Sequence, residues 1–329
     1  MHDATLQGLE CGATFAGEAD DPQIDGGPVA WLWCDYGRTL TMGNRRSYAD
    51  TRFGQIHLTE TGEGAPIVLL HPTPYSARVY APLIEQLADQ FHVLALDTLG
   101  FGNSDPLPPE ATMEMLAESV AAVLDARGVG RAHVFGFHTG NKIAAALAAG
   151  WPDHVDRLAL CGMTHSLIPD KAARDAAIGD IVNRYMMGEG GAANRQALFE
   201  QWSGLFVQIA AEWWDAGVIG GENVADGDLA RQGGRVIDRI QARASFDAVY
   251  GANFAFDLSR ALAAIEAPTL VLELLTPGEK HLGAQGPVCV DLLRDGHLIS
   301  VQASDQDVLG PRVVELAGII SGFFAGTGA

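Results

Sequence analysis

Six short apolar runs, at residues 67–70, 93–96, 133–137, 158–161, 270–272 and 298–301, constrain this chain more than any other feature. Each is too short for a helix and rich in Val, Ile and Leu, the pattern of a strand buried on both faces. Helical patterns lie between them; residues 113–126 place Leu116, Val120, Val123 and Leu124 on one face. Strands alternating with helices predict βαβ units and a mostly parallel sheet flanked by helices. The rhythm breaks over 167–261, a stretch that reads as helices, carries Trp202, Trp213 and Trp214, and is interrupted by glycines at 188–191. The sheet pattern resumes at about residue 268, so the break reads as a helical lid inserted into a single α/β body. The predicted organisation is an N-terminal arm over 1–46, a core of 47–166 and 262–329, and the lid over 167–261. The arm, with an aromatic patch at Trp31, Trp33 and Tyr36, packs on the body or on a partner subunit, or is disordered over its first twenty residues.

Charge and cysteine usage narrow the function. Lys plus Arg number 21 and Asp plus Glu 41, a formal net charge of −20. Such an acidic surface repels nucleic-acid backbones and anionic lipid, so neither is expected as a partner. No apolar run approaches the roughly 18 residues that span a bilayer, and no basic start followed by an apolar stretch marks a secretory signal. The four cysteines, Cys11, Cys34, Cys161 and Cys289, lack CxxC spacing, and Cys161 lies inside an apolar run. A reduced, cytoplasmic setting is expected.

The chemistry centres on residues 132–140, AHVFGFHTG, a strand that runs directly into Gly136-Phe137-His138-Thr139-Gly140 and then an Ala-rich helix. Small residues two positions either side of the central one let strand and helix approach closely, with the central residue in a strained turn. That is the strand–turn–helix context of a G-x-S-x-G nucleophile elbow, with His138 at its centre.

Two further segments extend the pattern: Leu69-Leu70-His71-Pro72, and Leu96-Asp97-Thr98-Leu99-Gly100-Phe101-Gly102-Asn103-Ser104-Asp105. Over roughly residues 48–325 the chain resembles the α/β-hydrolase superfamily, and within it the lid-bearing bacterial hydrolases, including carbon–carbon bond hydrolases. The resemblance implies an α/β-hydrolase fold with an inserted helical lid, and a structural role for the Asp97–Asp105 segment. It also implies an oxyanion hole from two backbone amides, here Thr139 and Thr73, the latter being the only N–H donor between Pro72 and Pro74. The departures are equally informative. The family's serine position holds His138, its acid position falls near Pro277 with Glu273 and Glu279 as the nearest carboxylates, and no histidine follows His297. The last loop instead reads Ser304-Asp305-Gln306-Asp307.

The expected catalytic pair is therefore His138 as base or nucleophile with Asp305 as its orienting carboxylate, Glu273 and Glu279 remaining as alternative partners. Tyr75, His165, Trp213 and Trp214 are the expected substrate-contacting side chains, although the tryptophans equally suit packing of the lid onto the core. A small organic molecule with a carbonyl or ester group is the expected substrate. Cofactor-free lyase, isomerase or carbon–carbon cleavage by proton abstraction is the first alternative, and a non-catalytic ligand-binding protein with an abandoned triad is the second. A metal held by His138 with His71 or His165 lacks any ligand spacing to support it, and His71 reads more simply as structural. No nucleotide fingerprint is present, so no cofactor is implied. A second copy of the chain stays open as a partner. The remaining histidines read as strand or loop residues, with His281 and His297 in solvated loops.

Overall fold

The structure, a computed structural model, describes residues 44–162, 167, 226–275, 285–303 and 308–326, all within one compact unit, Met42–Ala329. Eight strands form one sheet: β1 (Arg45–Thr51), β2 (Gly54–Thr61), β3 (Ala65–Leu70), β4 (Phe91–Leu96), β5 (Ala132–Phe137), β6 (Val155–Cys161), β7 (Thr269–Leu274) and β8 (Gly296–Val301). Their order is β1-β2-β4-β3-β5-β6-β7-β8. β2 is antiparallel to both neighbours, and every other pair is parallel. The helices described are α1 (Ala81–Leu87), α2 (Met113–Ala126), α3 (Thr139–Gly150), α4 (Asp226–Ala242), α5 (Phe246–Ala255), α6 (Leu258–Ala264), α7 (Gly286–Leu292) and α8 (Val313–Phe324).

All six apolar runs are strands, each one to three residues longer than its apolar core. The extra residues are less apolar, such as Ala65 and Pro66 in β3, and join because the ladder continues past the hydrophobic stretch. The β1–β2 hairpin went unrecognised, because RRSYADT and GQIHLTET are polar and one-sidedly buried. β1 begins at Arg45, two residues inside the predicted arm, and α6 straddles the predicted lid–core boundary at 261. His297 lies in β8 rather than in a loop, with its side chain half exposed.

Alternation along the strands divides the interior into two layers. In β3, Val68 and Leu70 join a core with α2, α3, α5 and α6, whereas Ile67 and Leu69 join one with α1 and α8. Burying a Leu, Val or Ile side chain contributes about 1.5–3 kcal/mol, and β3, β5, β6 and β7 do so on both faces. This is why their sequences are runs rather than alternations.

The topology fixes where a site can form. From β3 the chain passes through α1 to β4 on one side, then crosses through α2 to β5 on the other. Strand order therefore reverses at β3, and the carboxyl ends of β3 and β5 open onto the crevice where ligands bind in open α/β sheets. The loops that leave those ends carry His71–Tyr75 and His138.

The Asp97–Asp105 segment is structural, as the resemblance implied. Asp97, 3% exposed, accepts hydrogen bonds from the Ala77 amide (2.8 Å), the Asn103 amide (2.9 Å) and His57 Nδ1 (2.9 Å). Ser104 Oγ donates to the Asp97 carbonyl (2.6 Å) and accepts from the His57 amide (2.8 Å), joining this loop to β2. Gly102 (φ +54°) comes so near the Asp97 carboxylate that a Cβ there would lie 2.1 Å from Oδ2. Burial alone would raise the Asp97 carboxyl, but His57, His71 and the two amides together hold it below its ordinary value. Its contribution to stability is therefore complete above the unfolded value of 3.8 and is lost as pH falls through the lower folded value. Asp97→Ala should destabilise the fold by about 3–5 kcal/mol in urea titrations, because three donors, two of them buried, lose their buried acceptor. Asp97→Asn should show a shallower loss of stability than wild type below pH 3.8.

Candidate active site

β5 is buried at every position and ends in His138, whose φ of 48° and ψ of −109° make it the one non-glycine residue with positive φ among the described residues. Such a conformation costs about 1–3 kcal/mol and persists only where its surroundings enforce it. The enforcement is visible. The His138 amide donates to the Cys161 carbonyl (3.0 Å), and the His138 carbonyl accepts from the Asn141 amide (3.0 Å) as α3 begins. A Cβ on Gly136 would sit 2.5 Å from the Gly140 carbonyl, and one on Gly140 would sit 2.0 Å from the Leu70 carbonyl. Both glycines therefore do what the spacing predicted: they let α3 press against β5 and the end of β3.

The imidazole is partly exposed and lies 4.7 Å, centre to centre, from the Phe137 ring. Its far edge rests on Gly162, just beyond β6. A Cβ on Gly162 would fall 2.9 Å from Cε1 and 3.1 Å from both ring nitrogens, and Gly162 itself has φ +65°. Asn141, fully buried, fixes that glycine by donating from Nδ2 to the Gly162 carbonyl (2.8 Å) and the Cys161 carbonyl (3.3 Å). Gly162 and Asn141 escaped the sequence reading. An Asn three residues past the elbow was the only local signal, and Gly162 becomes meaningful only once β5 and β6 lie side by side.

Thr139 is the first residue of α3, so its amide has no acceptor within the helix and sits at the positive end of the helix dipole. Across from it, Pro72-Thr73-Pro74-Tyr75 forms a turn closed by the Tyr75 amide donating to the Pro72 carbonyl (3.0 Å), with the Thr73–Pro74 peptide cis. Leu70 pairs with Gly136 in the sheet, which places this turn beside the elbow. The two amides expected to form an oxyanion hole thus leave neighbouring strand ends. Tyr75 is 4% exposed and lies beneath the Arg235 guanidinium, 6.0 Å from the ring centre.

His71 is structural. It is 2% exposed; its Nδ1–H donates to the Pro72 carbonyl (3.1 Å) and its Nε2 accepts from the Thr98 amide (3.0 Å). Both nitrogens are engaged, which leaves no lone pair for a metal. Burial lowers its pKa, against the opposing pull of Asp97, so the neutral ring is favoured. Among the described residues, no three His, Cys, Asp or Glu side chains converge as a metal site would require. Cys161 and Cys289 are both buried.

Of the three carboxylates considered as partners for His138, Glu273 is described and is occupied elsewhere. It is 6% exposed, and it accepts from the Gly286 amide at the start of α7 (2.8 Å) and from Ser300 Oγ on β8 (3.0 Å). Asp305, Glu279, His165, Trp213 and Trp214 lie outside the described residues. Lys142, one helical turn past His138, is completely buried and donates from Nζ to the Asn253 carbonyl on α5 (3.1 Å). The sequence reading had passed over it as part of an Ala-rich helix.

Known proteins place this geometry. A family model described as alpha/beta hydrolase fold matches residues 65–204. A hydrolase of (E)-2-((N-methylformamido)methylene)succinate from Acinetobacter baylyi is 28% identical over 141 residues, 43% of this chain and 50% of the relative. A 2-hydroxy-6-oxononadienedioate/2-hydroxy-6-oxononatrienedioate hydrolase from Paraburkholderia xenovorans is 34% identical over 114 residues, 33% of this chain and 39% of the relative. The chain thus spans half or less of the length of these curated relatives. The solved structure of an epoxide hydrolase superposes with a TM-score of 0.67 at 20% identity, covering 86% of this chain and 99% of that one. Among the described residues no helix is long and apolar enough to cross a membrane.

Replacing Gly162 by Ala should force the imidazole off its seat. The variant is expected to lose at least about 1 kcal/mol, since Ala must adopt positive φ, and to shift the His138 ring resonances in NMR spectra while the Asp97 network stays intact.

Sheet order, the strained turn at His138 and these matches establish that the chain has the α/β-hydrolase fold.

Proposed function

We propose that this chain is an enzyme acting on a small carbonyl- or ester-bearing organic substrate, with His138 as base or nucleophile where the superfamily carries serine. One observation carries the reading: an imidazole held at positive φ at the elbow, at the head of α3 and seated on Gly162. Backbone strain retained at a strand end beside a helix N-terminus is characteristic of working sites. The two curated relatives named above are hydrolases, which favours hydrolysis over the other reactions that an imidazole base could run.

In the proposed reaction an ester carbonyl lies between the turn at Thr73 and the head of α3. The His138 imidazole takes a proton from water as the water oxygen attacks the carbonyl carbon. The carbonyl oxygen gains the electron pair, and its charge is met by the Thr73 and Thr139 amides. Collapse of the tetrahedral species expels the alcohol, which recovers the proton from the imidazolium. Direct attack by the imidazole nitrogen, giving an acyl-imidazole that water then cleaves, uses the same amides. Asp305, which follows β8 in sequence, is the proposed carboxylate at the second ring nitrogen. Abstraction of a proton next to a carbonyl needs the same base and the same amides, and is the proposed alternative chemistry.

Wild-type protein should turn over members of a panel of p-nitrophenyl esters, or exchange α-protons of carbonyl compounds into deuterated water. His138→Ala and His138→Gln should lower kcat/KM by about 10²–10⁴-fold. Retained turnover in either folded variant overturns the assignment. A fluorophosphonate probe should leave the elbow peptide unlabelled, and labelling there would equally refute it.

A further inference from the structure

The turn that carries Thr73 is fastened by a helix more than 150 residues away in sequence. Asp238 of α4, 1% exposed, accepts through Oδ2 from the Ser76 amide (3.2 Å) and from Ser76 Oγ (2.9 Å). Its Oδ1 lies 3.3 Å from Arg78 Nη1, and Arg78 also donates to the Gly234 carbonyl one turn earlier on α4 (3.2 Å). A Cβ on Gly234 would come within 2.9 Å of Arg78 Cδ, so the helix lies directly against this side chain. From the opposite side, Asp97 Oδ1 accepts from the amide of Ala77. Ser76 and Ala77 are thus held between two buried carboxylates, one from the sheet and one from α4. Three residues upstream stands Thr73, in the turn closed by the Tyr75 amide.

A buried carboxylate is costly to desolvate and is an uneconomical way to pack a helix. Burial raises the Asp238 carboxyl against the opposing pull of Arg78 and Ser76. Packing alone would be served as well by an apolar residue. What the carboxylate adds is direction: two hydrogen bonds onto one residue fix where the chain leaves the Thr73 turn.

We propose that Asp238 is a positioning residue which, through Ser76, orients the Thr73 amide as an oxyanion donor. This rests on the proposed use of that amide in catalysis. It ties the reactive end of β3 to α4, which belongs to the segment that the sequence assigned to the lid.

The test compares full-length wild type with Asp238→Ala, Asp238→Asn and Ser76→Ala, using two readouts. The first is the ¹⁵N relaxation of the Thr73 amide, which needs no turnover. It should show a loss of order at Thr73 in Asp238→Ala, with the Thr139 amide unchanged and with Asn, which keeps an acceptor, restoring most of the order. The second is hydrolysis of p-nitrophenyl acetate. Here kcat should fall by roughly tenfold to a hundredfold with KM nearly constant, as expected when a donor is misplaced by a fraction of an ångström to an ångström. Ser76→Ala should show a smaller change in the same direction on both readouts, and it decides the matter if Asp238→Ala does not fold. Unchanged Thr73 order in folded variants overturns the proposal, as does a loss that appears in KM rather than kcat. If wild type does not turn over the ester, the functional reading fails for that substrate, and Thr73 order alone decides the role of Asp238.

Discussion

The close approach of α3 to the ends of β3 and β5 is the constraint on which the rest of this structure depends. Gly140 passes so near the Leu70 carbonyl that no side chain fits, and Gly136 is equally confined by the start of the helix. With both neighbours pinned, His138 has nowhere to go but positive φ, and its amide and carbonyl are committed to Cys161 and Asn141. The backbone strain at His138 is offset by packing spread over two strands and a helix. A side chain held in this way loses little further entropy when a substrate arrives, which is the physical advantage of building a reactive group on an elbow.

Around that elbow, buried polar groups do the work that apolar packing cannot. Asp97 fastens the loop after β4 to the turn at Ala77, and His71 joins the end of β3 to Thr98 through Nε2 while its Nδ1 holds the Pro72 carbonyl. Asn141 fixes the glycine on which the imidazole rests. Apolar contacts are nondirectional and tolerate small shifts, whereas each of these hydrogen bonds specifies an atom and an angle. Fixing the backbone where the strands end demands the second kind of precision, and Asp97, His71 and Asn141, all buried, supply it there.

The elbow was legible because its requirements are local: a strand, two small residues at fixed offsets and a helix, all within a dozen positions. Strands β3 to β7 were legible for a related reason, since burial on both faces leaves no polar alternation to confuse with a helix; β8, at the sheet edge and largely exposed, was legible from its apolar run alone. The β1–β2 hairpin was not, because an edge pair needs only one buried face and its sequence looks like a surface segment. Glu273 shows the limit most clearly. By sequence it stood with Glu279 as an alternative to Asp305, and only the adjacency of β7, β8 and α7 reveals that its oxygens serve Gly286 and Ser300.

By itself, the sequence determined the alternation of strands and helices from β3 onward, the α/β class, and the strand–turn–helix that carries His138. Those properties follow from periodicity and from sterics over neighbouring residues. The tertiary structure alone decided what meets around that turn: Gly162 against the imidazole, and, on the segment that leaves the neighbouring strand β3, Ser76 bonded to Asp238 and Ala77 bonded to Asp97. These partners come from segments up to a hundred and sixty residues apart, as in the Ser76–Asp238 bond. No local pattern encodes such a meeting, because it depends on strand order, and strand order is settled only when the whole sheet buries both its faces.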